Sequence, residues 1–116
     1  MKLPNAEHTE VTRSKVVDYL LSTVHPAGAA KARFFLRMGF AATSWRELAS
    51  ALGEHARTTA LAKTEESPFG WRYTVEGRLQ TPSGRRPWVR TVWFVEHGKD
   101  RPRLVTAYPC AEGKQR

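Results

Sequence analysis

The apolar positions of this chain change period once. From Thr12 to about Arg57 they recur at helical spacing; from about Thr58 onward they alternate, as on strands with one buried face. In the first part, Thr12 can N-cap a helix reaching about Ser22, with Val16, Val17, Leu20 and Leu21 on one stripe. His25-Pro26 opens a second helix, because proline suits a first helical position whose N–H would have no partner. Ala30, Phe34, Phe35 and Met38 form its apolar face, and Gly39 ends it. Ser44-Trp-Arg-Glu47 has the form of a capping box and starts a third helix carrying Trp45, Leu48, Ala49 and Leu52. Residues 1–11 show little periodicity and read as an extended lead-in.

In the second part, Thr58–Thr64 is a short candidate strand and Glu65–Gly70 has turn chemistry. Trp71–Leu79 sets Trp, Tyr, Val and Leu against Arg, Thr, Glu and Arg, the pattern of a half-buried strand. After a turn at Pro82-Ser-Gly-Arg85, Trp88–Val95 is apolar on both faces, as a central strand would be. A turn at His97-Gly98 leads to a last strand, Arg103–Tyr108, and the polar tail from Glu112 is expected to fray. The pattern predicts one α+β domain over residues 1–116. Its N-terminal helices (about 12–57) pack on a three- to four-stranded antiparallel sheet (about 58–110).

Composition narrows the function. A chain of 116 residues, 41% apolar and 26% charged, holds one core and has the balance of a folded protein. Its apolar runs are too short to span a membrane. The start, Met-Lys-Leu-Pro-Asn, lacks a signal-peptide core, and a lone Cys110 fits a reducing compartment, so a cytoplasmic location is expected. The net charge of +8 changes the picture most: it favours a polyanion such as RNA, or an acidic protein that masks the charge, with solubility alone the plainer alternative.

The candidate chemistry lies at the helix entry and on the strands. His25 and Lys31 stand near the start of the second helix, where an anion is favoured and a histidine can act as general base. Equally, the histidine can simply cap the helix and the lysine can be solvated. In the central strand, Arg90 and Val92 share one face and Thr91 and Trp93 the other. An arginine in so apolar a strand needs a phosphate or a carboxylate, and Glu76 on the neighbouring strand is the carboxylate at hand. On the last strand, Thr106 and Tyr108 share a face with Leu104; their hydroxyls either meet one phosphate or bond across the sheet. Arg72, Arg85, Arg86, Trp93 and Arg103 are the candidates for gripping RNA, by charge or by stacking on bases, with core packing the alternative for the strand aromatics. No metal-ligand spacing and no glycine-rich phosphate loop occurs, so neither a metal nor a cofactor is expected.

The ordered motifs Leu3-Pro-Asn, Asp18-Tyr-Leu-Leu, His25-Pro-x-Gly28-x-x-Lys31-Ala-x-x-Phe34, Phe69-Gly-x-x-Tyr73-x-Val75, Val92-Trp-x-Val95 and Pro102-Arg-Leu-Val-Thr-Ala-Tyr108 span nearly the whole chain. Together they resemble a bacterial family associated with the barnase–EndoU–colicin–RelE-like ribonuclease superfamily, whose domains occur in toxin–antitoxin modules and in polymorphic or phage-borne toxins. The resemblance implies N-terminal helices followed by a four-stranded antiparallel sheet, which adds weight to a strand at 58–64. It implies metal-independent RNA cleavage leaving a cyclic phosphate, with His25 and Lys31 as the helix-borne pair and Arg90, Thr106 and Tyr108 from the sheet. An acidic antitoxin or immunity protein is the implied partner. The chain departs from the EndoU-like pattern in offering a single well-placed histidine, so the second proton carrier has to be Lys31, Tyr108 or His97. A non-catalytic RNA-binding module and a protein-interaction or antitoxin domain with a basic docking face are the other readings of the same charge.

Overall fold

A computed structural model describes residues 1–111; the polar tail from Glu112, expected to fray, lies outside the described residues. The order is α+β, as expected: helices first, then a meander. Helix α1 (Arg13–Lys15) runs directly into a π-helical stretch, Val16–Leu20, and is followed by α2 (Ala29–Arg37) and α3 (Trp45–Thr58). Four strands, β1 (Leu61–Ser67), β2 (Gly70–Arg78), β3 (Trp88–Glu96) and β4 (Arg103–Pro109), form one antiparallel sheet in the order β1-β2-β3-β4.

Local chemistry explains most helix ends. The Thr12 hydroxyl accepts from the Lys15 amide at 3.1 Å and caps α1. The following turn is widened: the Leu21 amide donates to the Val16 carbonyl, five residues back, at 2.8 Å. Val16, Leu20 and Leu21 are buried while Val17 is only half-buried. Gly39, at φ +101°, closes α2 with paired bonds from Gly39 to Leu36 and from Phe40 to Phe35, a left-handed cap that suits glycine. Two expected starts differ. Pro26 lies in a turn in which the amides of Gly28 and Ala29 both donate to the His25 carbonyl, so α2 begins only at Ala29. The Ser44 capping box does not form, because a 3-10 turn at Ala42–Ser44 ties the Ser44 amide to the Ala41 carbonyl and leaves Glu47 no donor to reach.

The lead-in is more structured than its composition suggests. Leu3 and Ala6 are in the core, the Met1 carbonyl accepts from Leu61, and Glu10 pairs in parallel with Arg103 at the edge of β4. The strand at 58–64 exists but starts later and runs through the expected turn to Ser67. The β1–β2 turn shrinks to Pro68-Phe69.

Each edge strand carries one extra residue. Pairing slips between Leu61 and Lys63 on β1, and on β4 the partners step from Thr106 to Leu104 as β3 advances by one, so Val105 is unmatched. The β4 bulge reverses the face of everything beyond it. Leu104 and Ala107 point into the core while Thr106 and Tyr108 lie on the opposite face with Arg90 and Val92. The expected sharing of a face by Leu104, Thr106 and Tyr108 is therefore overturned.

One sheet face, with Tyr73, Val75, Leu79, Val89, Trp93 and Val95, packs beneath Leu48, Leu52 and Ala56 of α3 and beneath Val16, Leu20 and Phe35. A polar chain runs through this core. Trp93 Nε1 donates to Thr91 Oγ1 (2.9 Å), Thr91 meets His55 Nδ1 (3.2 Å), and His55 Nε2 reaches the carbonyls of Val89 (3.0 Å) and Gly77 (3.2 Å). Since the carbonyls only accept, His55 carries its proton on Nε2 and accepts from Thr91. Burial lowers the His55 titration below its ordinary 6.5, against the two carbonyl bonds that raise it.

A depressed histidine binds a proton less readily folded than unfolded, so its contribution is complete above pH 6.5 and is lost as pH falls toward the folded value. Chemical unfolding measured down through that range should show stability declining below pH 6.5, with this component absent in His55→Leu. That variant should itself be less stable by about 1–3 kcal/mol, because Thr91 and the carbonyls lose a buried partner.

Candidate functional site

Among the described residues, no helix lies over the second sheet face. Across its middle run Arg72, Thr74 and Glu76 of β2, Arg90, Val92 and Phe94 of β3, and Thr106 and Tyr108 of β4, with Lys63 and Glu65 on β1 beside them. Much of this face lines a cleft of about 550 Å³ bounded by Lys63, Glu65, Arg72, Glu76, Arg90 and Tyr108.

At the β4 side the helices come round the sheet edge, and five of the predicted residues gather there. Arg90 Nε donates to Glu76 Oε2 at 2.6 Å, and Arg90 Nη1 to the Tyr108 hydroxyl at 3.3 Å. The Arg90 guanidinium lies 5.5 Å from the Tyr108 ring centre, and the Lys31 ammonium 5.8 Å from the same ring. Lys31 Nζ also donates to the Ala27 carbonyl at 2.9 Å, which holds it against its own helix entry. His25 Nδ1 accepts from the Ala27 amide at 3.0 Å, so the neutral ring keeps its proton on Nε2. The Tyr108 hydrogen bond, and then the Glu76 carboxylate, push the Arg90 titration above the usual guanidinium range despite partial burial.

Tyr19 links these parts, and sequence reasoning missed it. Its hydroxyl is 2.8 Å from Thr106 Oγ1, and its ring meets the His25 ring edge-on at 5.0 Å. Its backbone carbonyl abuts Gly28 so closely that a Cβ there would collide with it. Asp18-Tyr-Leu-Leu reads as plain helix; the π-helical turn that carries Tyr19 leaves no mark on hydrophobic period. Glu76 was foreseen as the carboxylate partner of Arg90, and that ion pair is present.

The RNA-gripping candidates divide. Arg72 and Arg103 lie exposed on the open face, Arg103 over the Phe94 ring at 5.3 Å and 3.9 Å from Glu96. Arg85 and Arg86 are exposed in the β2–β3 loop at one end. Trp93 has to be corrected: it is 0% exposed, in the core with its N–H bound to Thr91, and presents no surface to a base. Trp88 instead lies on the open face, with the Arg78 guanidinium 5.7 Å from its ring. His97, the remaining candidate proton carrier, sits at the β3–β4 turn beside Ser67 and Glu66, not in the cluster. Among the described residues no three His, Cys, Asp or Glu side chains converge as a metal site, and no helix is long and apolar enough to cross a membrane.

The profile of a family described as Domain of unknown function (DUF6883) matches residues 2–111. The chain belongs to the DUF6883 family. No curated protein sequence matches it. In structure, this DUF6883 chain is similar to a chain of a contact-dependent growth inhibition toxin–immunity protein complex from Klebsiella pneumoniae 342, with a TM-score of 0.69. The two share 17% sequence identity, and the match covers 86% of this chain and 98% of the other, a likeness of fold.

If Tyr19 ties the helix layer to β4, Tyr19→Phe should cost about 0.5–1.5 kcal/mol through its hydroxyl alone. Gly28→Ala should cost about 1–3 kcal/mol, by forcing the turn away from the Tyr19 carbonyl. Exposed Asp18→Ala, next along the chain, should stay within about 0.5 kcal/mol. Urea unfolding of the three DUF6883 variants checks the order.

Proposed function

We propose that this chain is a metal-independent endoribonuclease acting as the toxin of a bacterial toxin–antitoxin or polymorphic-toxin system. The observation that carries the reading is the meeting of an imidazole, an ammonium, a guanidinium and two hydroxyls, from α2, its entry turn and two strands, at an open sheet face. Cleavage through the ribose 2′-OH needs such a set. The 2′-oxygen attacks the adjacent phosphorus as its proton is taken, the P–O5′ bond breaks, and the 5′-oxygen receives a proton. The products are a 2′,3′-cyclic phosphate and a 5′-hydroxyl. His25 carries protons in this scheme, because imidazole exchanges them near neutral pH. Lys31 and Arg90 offset the charge that builds on the phosphorane, and the Thr106 and Tyr108 hydroxyls donate to its oxygens. A guanidinium already oriented by Glu76 and Tyr108 reorganises little as that charge appears.

The fold shared with a chain of a toxin–immunity complex fits a toxin or immunity-type role, of which we propose the toxin. The net charge of +8 supports RNA as the target and an acidic antitoxin or immunity protein as the partner, in the cytoplasm where RNA is met. One observation favours a second reading, a non-catalytic RNA-binding module: Arg90 and His25 Nδ1 are both engaged by the protein's own groups.

Inducible expression in bacteria separates the two. The intact chain should arrest growth and fragment RNA, and His25→Ala should do neither; RNA bound at low salt but left whole would favour the binding module. With purified protein, EDTA should leave the cleavage rate unchanged. Tyr108→Phe should slow single-turnover cleavage by about 10²–10³, equivalent to roughly 2.7–4 kcal/mol, with little change in Tm. A destabilised Tyr108→Phe that cleaves at full rate would remove Tyr108 from the site.

A further inference from the structure

Two ammonium groups lie near the Tyr19 ring. Lys15 Nζ, from the last residue of α1, is 5.1 Å from the ring centre, and Lys31 Nζ, from the first turn of α2, is 5.6 Å from it. Neither has a carboxylate partner among the described residues, whereas Lys63 and Lys99 pair with Glu65 and Glu96. Lys31 donates to the Ala27 carbonyl, and the Lys15 ammonium makes no hydrogen bond among the described residues. Both lysines are half-buried. Two like charges held near one ring repel each other, and an anion that reaches both offsets that repulsion.

The Tyr19 ring is fixed at both ends. Its hydroxyl is bound to Thr106, and its backbone is wedged against Gly28. Lys31 also faces the Tyr108 ring, so this place adjoins the Arg90 cluster. We propose that Lys15, Lys31 and Tyr19 form a second phosphate subsite, which takes the phosphate next to the one that reacts. The inference rests on the endoribonuclease reading and deepens it: the ligand is an RNA strand carrying at least two successive phosphates. Tyr19 serves as the platform, Lys15 supplies the charge peculiar to this subsite, and Lys31 stands between the two.

The test uses the full chain and an uncleavable dinucleoside monophosphate with a 2′-deoxyribose at the reacting position. Its affinity is compared with that of the same compound bearing a terminal phosphate at the 5′ or the 3′ end. One of the two terminal phosphates should tighten binding by the wild-type chain several-fold. Lys15→Ala should erase that gain and leave affinity for the unphosphorylated compound unchanged, with Tm confirming the fold. On a longer single-stranded RNA, the same variant should flatten the logarithmic salt dependence by about 0.7, one phosphate's share. If neither terminal phosphate helps the wild type, or if Lys15→Ala keeps the gain, the subsite is overturned while the ribonuclease reading stands. If the wild type binds no RNA at low salt, both are overturned together.

Discussion

A single unmatched residue on β4, Val105, decides which side chains reach the open face. Strand side chains alternate, so without the bulge Leu104, Thr106 and Tyr108 would all point the same way. They would then bury two hydroxyls in an apolar core or expose a leucine in the cleft. With it, Leu104 and Ala107 join the core while Thr106 and Tyr108 stand beside Arg90 and Val92. The bulge lies on an edge strand, where one broken rung in the ladder is cheapest, and the chain at Glu10 recovers part of the edge by bonding to Pro102 and Leu104.

The helix layer makes a matching adjustment. The π-helical turn at Val16–Leu20 keeps Val16 and Leu20 in the core and carries Tyr19 to the sheet edge, where its hydroxyl meets Thr106. Two local irregularities, one in each layer, are thus joined by one hydrogen bond, with His25 and Lys31 gathered around the same ring. The electrostatics follow from this arrangement. Arg90 is balanced by Glu76, while Lys15 and Lys31 face aromatic rings and no carboxylate among the described residues. The cluster therefore keeps an excess of positive charge at the edge of an open face.

Hydrophobic period is a sound guide to this fold where elements are long and amphipathic. Phe34, Phe35 and Met38 on α2 and Tyr73, Val75 and Leu79 from β2 onward mark their buried faces plainly, and both lie where the alternation puts them. It fails where one residue changes the count: at Val105, at the β1 slip before Lys63, and at the π-helical turn, since none of these alters composition. It also fails for the lead-in, whose Leu3 and Ala6 are too few to show a period yet are buried by packing from distant elements. Trp93 illustrates a different limit. An aromatic on a strand apolar on both faces can belong to either side, and its N–H is accepted by the buried Thr91, which in turn meets His55, 36 positions earlier than Thr91, a link that no local pattern reveals. Charge pointed to Arg90 and Glu76 as partners because Arg90 interrupts an apolar strand and Glu76 is the carboxylate on the strand beside it; nothing comparable singled out Tyr19.

The central claim is that the groups around Tyr19, Arg90 and Tyr108 break RNA through its own 2′-hydroxyl. The most direct measurement is end-group analysis of one short RNA, incubated with the purified chain in EDTA, beside the same strand carrying a single 2′-deoxyribose at the cut position. The account predicts a 2′,3′-cyclic phosphate on one fragment, a 5′-hydroxyl on the other, and no cut at the deoxy position. Cleavage of the deoxy strand, or products bearing a 5′-phosphate, would contradict it.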